Sequence, residues 1–149
     1  MELSAQLLEV NMKHSFFALI SRMRYIGRWG LMRNSLPENI QEHSHMVAVI
    51  AHSLAVIGRD IFGKSTDPEK CAAAALYHDA SEILTGDMPT PIKYRNEAIK
   101  NSYKEIEQSA NIKLLSFLPE ELKGSFAPLL IQEDTDICAY VKAADKLSA

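Results

Sequence analysis

The stretch Asp67-Pro68-Glu69-Lys70-Cys71-Ala72-Ala73-Ala74-Ala75-Leu76-Tyr77-His78-Asp79 decides the fold. Asp67 offers a side-chain acceptor where a helix begins, and Pro68 is pre-set for the first helical position. The alanines that follow favour helix and let neighbouring helices approach closely. The pattern carries this helix to about Leu84. His78 and Asp79, two polar and metal-capable residues, fall directly behind the apolar run. Neighbours on a helix project about 100° apart, so both cannot face water if both flanks are packed. A buried carboxylate without a partner is costly, and a bound cation removes the cost.

Upstream, Asn39-x-x-Glu42 has the spacing of a capping box and opens a helix that runs to about Ile57. Met46, Val47, Val49, Ile50, Leu54 and Val56 make it apolar on nearly every side, so it is expected to be central and buried. Its first turn carries His43. An earlier helix is expected from about Ser4 to Ile26, with Leu7, Leu8, Phe16, Phe17, Leu19, Ile20 and Met23 on its apolar face. Arg28 to Ser35 reads as a structured loop.

Downstream, Gly86-Asp87-Met88-Pro89-Thr90-Pro91 breaks the helix begun at Asp67. A long helix is expected from about Tyr94 to Phe117, a short one from Pro119, and a last one opening near Asp134. That last helix carries Ile137, Cys138, Val141 and Asp145. No segment alternates like a strand, so the chain reads as one all-α domain over 1–149.

The formal net charge is -3 and no Lys/Arg run occurs, which argues against a nucleic-acid polymer as partner. A small anion needs only a local pair of cations. Cys71 and Cys138 follow no paired spacing, and the N-terminus has no basic-then-apolar leader. Reduced thiols in a cytoplasmic protein are expected. The apolar stretches are too short to span a bilayer.

Asp145 lies four residues after Val141 and seven after Cys138, on the apolar stripe of its helix. An aspartate there calls for something to satisfy it. Each residue alone has a plainer account: His78-Asp79 as a half-exposed surface pair, His43 as packing at a helix start. Together, two histidines and two aspartates on three helices form a mixed nitrogen and oxygen set. Such a set suits Mn²⁺, Co²⁺, Fe²⁺, Ni²⁺ or Zn²⁺ and excludes thiolate-rich structural zinc. Glu82 lies on the same side as His78 and Asp79, one helical turn on. His45 and His52 are left outside the set because of their spacing.

This order, His43, then adjacent His78-Asp79, then a distant Asp145, resembles the HD-domain superfamily of metal phosphohydrolases. Further segments are similar to bacterial 5′-deoxynucleotidases of the YfbR-like kind: Gly27-Arg28-Trp29, Leu31-Met32-Arg33-Asn34, Glu38 to Ser44, Tyr77 to Tyr94, and Lys142-Ala143-Ala144-Asp145. The run from Tyr77 to Tyr94 is far more specific than the bare metal motif.

The resemblance implies an HD-domain bundle of about six helices that hydrolyses deoxyribonucleoside 5′-monophosphates. It implies one divalent ion (Co, Mn, Fe, Ni, Zn or Cu) on His43, His78, Asp79 and Asp145. Glu82 matches the catalytic carboxylate, Asp79 bridges metal and reacting groups, and Arg28 matches the phosphate-orienting arginine. His43, Asp79, Trp29 and the Asp87-Met88-Pro89-Thr90 segment are implied to meet the substrate. Lys93 and Arg33 are weaker candidates for an anion contact.

A homodimer goes with the family, whose members continue with further helices, so the domain is expected to lack its C-terminal helices. Two alternatives stand beside this reading. One is a related phosphohydrolase acting on a triphosphate, cyclic nucleotide or alarmone. The other is a non-catalytic nucleotide-sensing module.

Overall fold

The computed structural model describes residues 15–31, 33–133 and 135–149, and among these it is helical with no strand. In chain order the helices are α1 (Phe16–Ile20), α2 (Ile40–Asp60), α3 (Pro68–Leu76), α4 (Glu82–Thr85), α5 (Thr90–Lys93), α6 (Glu97–Ser116), α7 (Glu120–Leu130) and α8 (Asp136–Ser148). None of the described helices is long and apolar enough to cross a membrane.

Local chemistry sets most helix starts. Asn39 Oδ1 accepts from the Gln41 and Glu42 amides, and the Glu42 carboxylate reaches back to the Asn39 amide, completing the expected capping box. Asp67 caps α3 through the Lys70 amide. Asn96 caps α6 through the Ile99 amide, so that helix starts at Glu97 rather than near Tyr94. Thr135 caps α8 through the Cys138 amide; the start expected near Asp134 falls on a residue outside the described ones.

The packing centre is a seam of small side chains. Val47, Ala48, Ala51 and Ala55 of α2 meet Cys71, Ala74 and Ala75 of α3 and Val141 and Ala144 of α8. With so few bulky groups between them the three backbones come close, as the Ala run implied. At Gly58 the approach is closer still: a Cβ there would meet the Tyr140 hydroxyl of α8. A second cluster joins Phe16, Ala80, Leu114, Leu118 and Leu130, with Phe126 edge-on to Phe16 at 5.2 Å between ring centres. A third joins Met23, Ile40 and Ile83. Cys71 and Cys138 are buried, free thiols.

Three further expectations are corrected. The first helix is not continuous to Ile26: α1 ends at Ile20 and a 3-10 helix covers Ser21–Tyr25. The Ser21 hydroxyl donates to the Ala18 carbonyl at 2.7 Å, offering that carbonyl an alternative to the helical ladder. Leu7 and Leu8 of that expectation lie outside the described residues. Secondly, α2 is not buried all round. Met46, Val49 and Ile57 are exposed, because α3 and α8 cover only one side of it.

The third correction bears on function. The helix from Asp67 stops at Leu76, and residues 77–81 form hydrogen-bonded turns before α4. Amides three residues on bond back to carbonyls, Ala80 to Tyr77 and Glu82 to Asp79, both at 3.0 Å. The His78 ring contributes to the break: its Nδ1 bonds to the Ala75 carbonyl at 2.7 Å, satisfying one of the helix's last acceptors. Tyr77 and Ala80 anchor the turn in the second cluster and Ile83 anchors it in the third.

Because Ala51 is fully buried in the small-residue seam, Ala51→Leu is expected to overpack it and cost about 1–3 kcal/mol. Met46→Ala on the exposed side is expected to change stability by less than about 0.5 kcal/mol. Urea denaturation of the two variants checks the ranking, and equal midpoints would contradict the seam.

Candidate metal and nucleotide site

Four segments converge on one point. The first turn of α2 brings His43, the turn after α3 brings His78 and Asp79, α8 brings Asp145, and the loop before α2 brings Arg28. His43 is fully buried. Its Nε2 lies 2.9 Å from Asp145 Oδ1 and 3.7 Å from Asp79 Oδ2. His78 Nε2 lies 3.3 Å from Asp79 Oδ2 and 3.9 Å from Asp145 Oδ1. One ligand atom from each of His43, His78 and Asp145 falls within 4.8 Å of the others, a spacing that can hold a metal ion. Asp79 flanks this trio beside both histidines.

The donor set fits a cation on a further observation. With His78 Nδ1 committed to the Ala75 carbonyl, the neutral ring carries its lone pair on Nε2. That Nε2 is buried and has no hydrogen-bond partner among the described residues. A backbone carbonyl fixing one ring nitrogen while the other is left bare is the usual support for a metal-ligating histidine.

His43 is held differently. The Arg28 guanidinium contacts His43 Nδ1, and because arginine only donates, Nδ1 accepts and Nε2 carries the hydrogen given to Asp145. Ser148 Oγ stands 3.4 Å from the same Nδ1.

Charge is concentrated here. The His43 hydrogen bond, and then His78, hold the Asp145 carboxyl well below the usual carboxylate range. For His78, burial pulls the imidazole down, but negative Asp79 and then Asp145 and the Ala75 carbonyl outweigh it and raise it. Glu82 is buried, with Oε2 unpartnered among the described residues. Burial first, then the charges of Asp79 and Asp87, push its carboxyl up to about 9 against the pull of Lys93 and Arg28.

A short antiparallel bridge between Gly27 and Asn39 ties the Arg28 loop to the start of α2. Glu38, next to the cap, accepts from the Arg28 guanidinium at 2.6 Å and from the Trp29 indole at 3.3 Å. The guanidinium also lies over the Trp29 ring, 5.0 Å from its centre. Trp29 adopts φ 66°, a left-handed conformation that a bulky residue rarely takes. Such strain persists only where the surroundings impose it, here the Glu38 bond and the Arg28 stack.

The sugar-segment candidates leave directly from this turn. Gly86 follows α4 with φ 72°, then come Asp87, Met88, Pro89 and Thr90, the last opening α5. Among the described residues, Met88, Pro89 and Thr90 make no side-chain hydrogen bond to the cluster. Lys93 is engaged by Glu107 at 2.7 Å, and Arg33 is exposed on the outer loop beside Trp29. His45 and His52 are exposed and stand apart, as their spacing implied.

Sequence reasoning gave no role to Glu38 or Ser148. Each meets its partners across nine residues or more of chain, and nothing periodic connects them.

The family model of YfbR-like 5′-deoxynucleotidases matches residues 15–149. A 5′-deoxynucleotidase of Vibrio parahaemolyticus is 50% identical over 151 residues, covering 93% of this chain and 78% of that protein. The Escherichia coli 5′-deoxynucleotidase YfbR is 47% identical over 151 residues, covering 93% of this chain and 76% of that protein.

Among solved structures, an HD-domain phosphohydrolase of Listeria innocua superposes with a TM-score of 0.77 at 24% identity over 89% of this chain. A cyanophage S-2L HD phosphohydrolase, solved with dA and one catalytic Zn²⁺, gives 0.61 at 24% identity over 88%. This chain spans 64% and 66% of those two, and the likeness establishes the all-helical HD fold. On the sequence match across nearly its whole length, the chain belongs to the YfbR-like 5′-deoxynucleotidase family.

Proposed function

We propose that this chain hydrolyses deoxyribonucleoside 5′-monophosphates to deoxyribonucleoside and phosphate, with a divalent ion on His43, His78 and Asp145 and Asp79 beside it. The observation that carries the metal reading is the bare, buried Nε2 of His78, fixed by its other nitrogen and facing two carboxylates. When bound, the ion polarises a phosphoryl oxygen and lowers the pKa of a water. Its nitrogen and oxygen donors suit Co, Mn, Fe, Ni, Zn or Cu.

The chain's own residues supply the rest. Arg28 is aimed into the site by Glu38 and by Trp29 beneath it, so its planar fork is ordered before a phosphate arrives. Ligation by His43 requires its Nε2 hydrogen to leave; the ring can carry it on Nδ1, with Ser148 Oγ as acceptor, once the Arg28 guanidinium moves off that nitrogen. In the metal-free protein burial keeps Glu82 protonated at neutral pH, and a protonated Glu82 is suited to deliver its proton to the departing sugar oxygen. Trp29 and the segment Asp87-Met88-Pro89-Thr90 form the sugar wall, and a proline-braced segment excludes a 2′-hydroxyl by shape. On the family resemblance, the enzyme is a cytoplasmic homodimer.

Phosphate release from paired deoxy- and ribonucleoside monophosphates with Mn²⁺ or Co²⁺ tests this reading. Faster turnover of the deoxy member of each pair is expected; equal rates would defeat the sugar selectivity, and no turnover by metal-loaded protein would defeat the enzyme.

Asp145→Ala is expected to lose metal, measured as bound metal per chain. Glu82→Ala is expected to keep metal and lose at least about 100-fold in kcat. Retained turnover in the second variant would remove Glu82 from the reaction.

Glu82 also ties stability to pH. Between its ordinary value of 4.5 and about 9 the unfolded chain gives up this proton while the folded chain holds it. Metal-free stability therefore falls as pH rises through that window. Glu82→Gln removes the penalty, so its metal-free melting temperature is expected to exceed the parent's at pH 8, with the gap closing towards pH 4.5. A gap independent of pH would show that the Glu82 proton is not what the fold retains.

A further inference from the structure

Helix α6 presents Tyr103, Glu107 and Asn111 at a spacing of four, one stripe along one face. The stripe follows the site. The Tyr103 hydroxyl donates to the Gly86 carbonyl at 3.3 Å, at the root of the sugar segment. Glu107 accepts from Lys93 at 2.7 Å, just beyond that segment. Asn111 comes next and borders a cleft of about 340 Å³ between α6, the α7–α8 connection and α8.

His78 forms part of the wall of this cleft, so it adjoins the metal cluster. Lys104, Gln108 and Lys142 also line it. Asn111 Oδ1 is buried and has no hydrogen-bond partner among the described residues. Lys104 and Lys142 make no ion pair among the described residues.

A small ligand bound here meets donors and an amide on a mostly preformed surface. An anion alone suits the lysines poorly, because Glu107 shares the wall and the amide oxygen of Asn111 repels negative charge. A flat heterocycle with both donors and acceptors on its edge answers both the amide and the lysines, and an asparagine carboxamide matches such an edge.

We propose that this cleft seats the base of the nucleotide, and that the Asn111 carboxamide reads the base's hydrogen-bonding edge. The proposal rests on the deoxynucleotidase reading, which puts the phosphate at His43, His78 and Asp145 and the sugar at the segment after Gly86. The base then lies along α6, past Glu107.

The test compares the parent with Asn111→Leu on deoxyadenosine 5′-monophosphate and on 2-deoxyribose 5-phosphate, the same phosphate and sugar without a base. Loss of one hydrogen bond to bound ligand is expected to raise KM for the nucleotide about tenfold. The kcat/KM for the sugar phosphate is expected to stay within about twofold of the parent's. Equal losses on both substrates, or no change on the nucleotide, overturn the proposal.

Lys104→Ala, on the exposed rim, leaves the core untouched and is expected to raise the nucleotide KM alone by about threefold; an unchanged KM counts against the cleft. If the parent turns over neither substrate, the deoxynucleotidase reading fails on its own account. Equilibrium dialysis of deoxyadenosine against the Mn²⁺-loaded parent and the Asn111→Leu protein then decides the cleft: weaker binding to the variant upholds it, and equal binding overturns it.

Discussion

The contact between His43 and Asp145 joins residues 102 positions apart in sequence, and the rest of the site depends on it. It ties the first turn of α2 to α8 at 2.9 Å, with the imidazole fully buried and both ring nitrogens in contact with polar groups. Two helices can be held so close at this end only because the seam behind it is built of small side chains. The alanines of α2, α3 and α8 are thus part of the site's geometry, although only Ala75 touches it, through the carbonyl that bonds to the His78 ring.

The second requirement is the sharp exit from α3. A continuous helix would carry His78 and Asp79 around its axis on a rising path. Here i to i−3 turns, clamped by Tyr77 and Ala80 on one side and Ile83 on the other, hold both side chains at the convergence. The same turn delivers Glu82 into an apolar surround beside two aspartates, and this combination raises its carboxyl to about 9. Packing thereby decides which carboxylates ionise: Asp145 is held low by imidazoles, Glu82 is held high by burial.

Much of this was legible in the sequence, and the boundary is physical. Capping at Asn39 and Asp67 was readable because a cap is a contact between near neighbours. The convergence of His43, His78 and Asp145 was legible from their combined order and its resemblance to the HD-domain pattern, since each residue alone has a plainer account. The end of α3 at Leu76 was not, since Ala and Leu favour helix and only the ring-to-carbonyl bond of His78 and tertiary packing interrupt it. The exposure of Met46 and Val49 was hidden too, because composition does not tell which side a neighbour covers. Glu38, which aligns both Arg28 and Trp29, and Tyr103, which meets Gly86, act across loops whose closure no periodicity encodes.

The central claim, one cation shared by α2, α8 and the turn after α3, is tested most directly by anomalous diffraction from crystals of the protein grown with Mn²⁺. The account predicts a single strong peak per chain flanked by His43, His78 and Asp145, with Asp79 adjacent. A peak elsewhere, or none with Mn²⁺ in excess, would contradict it.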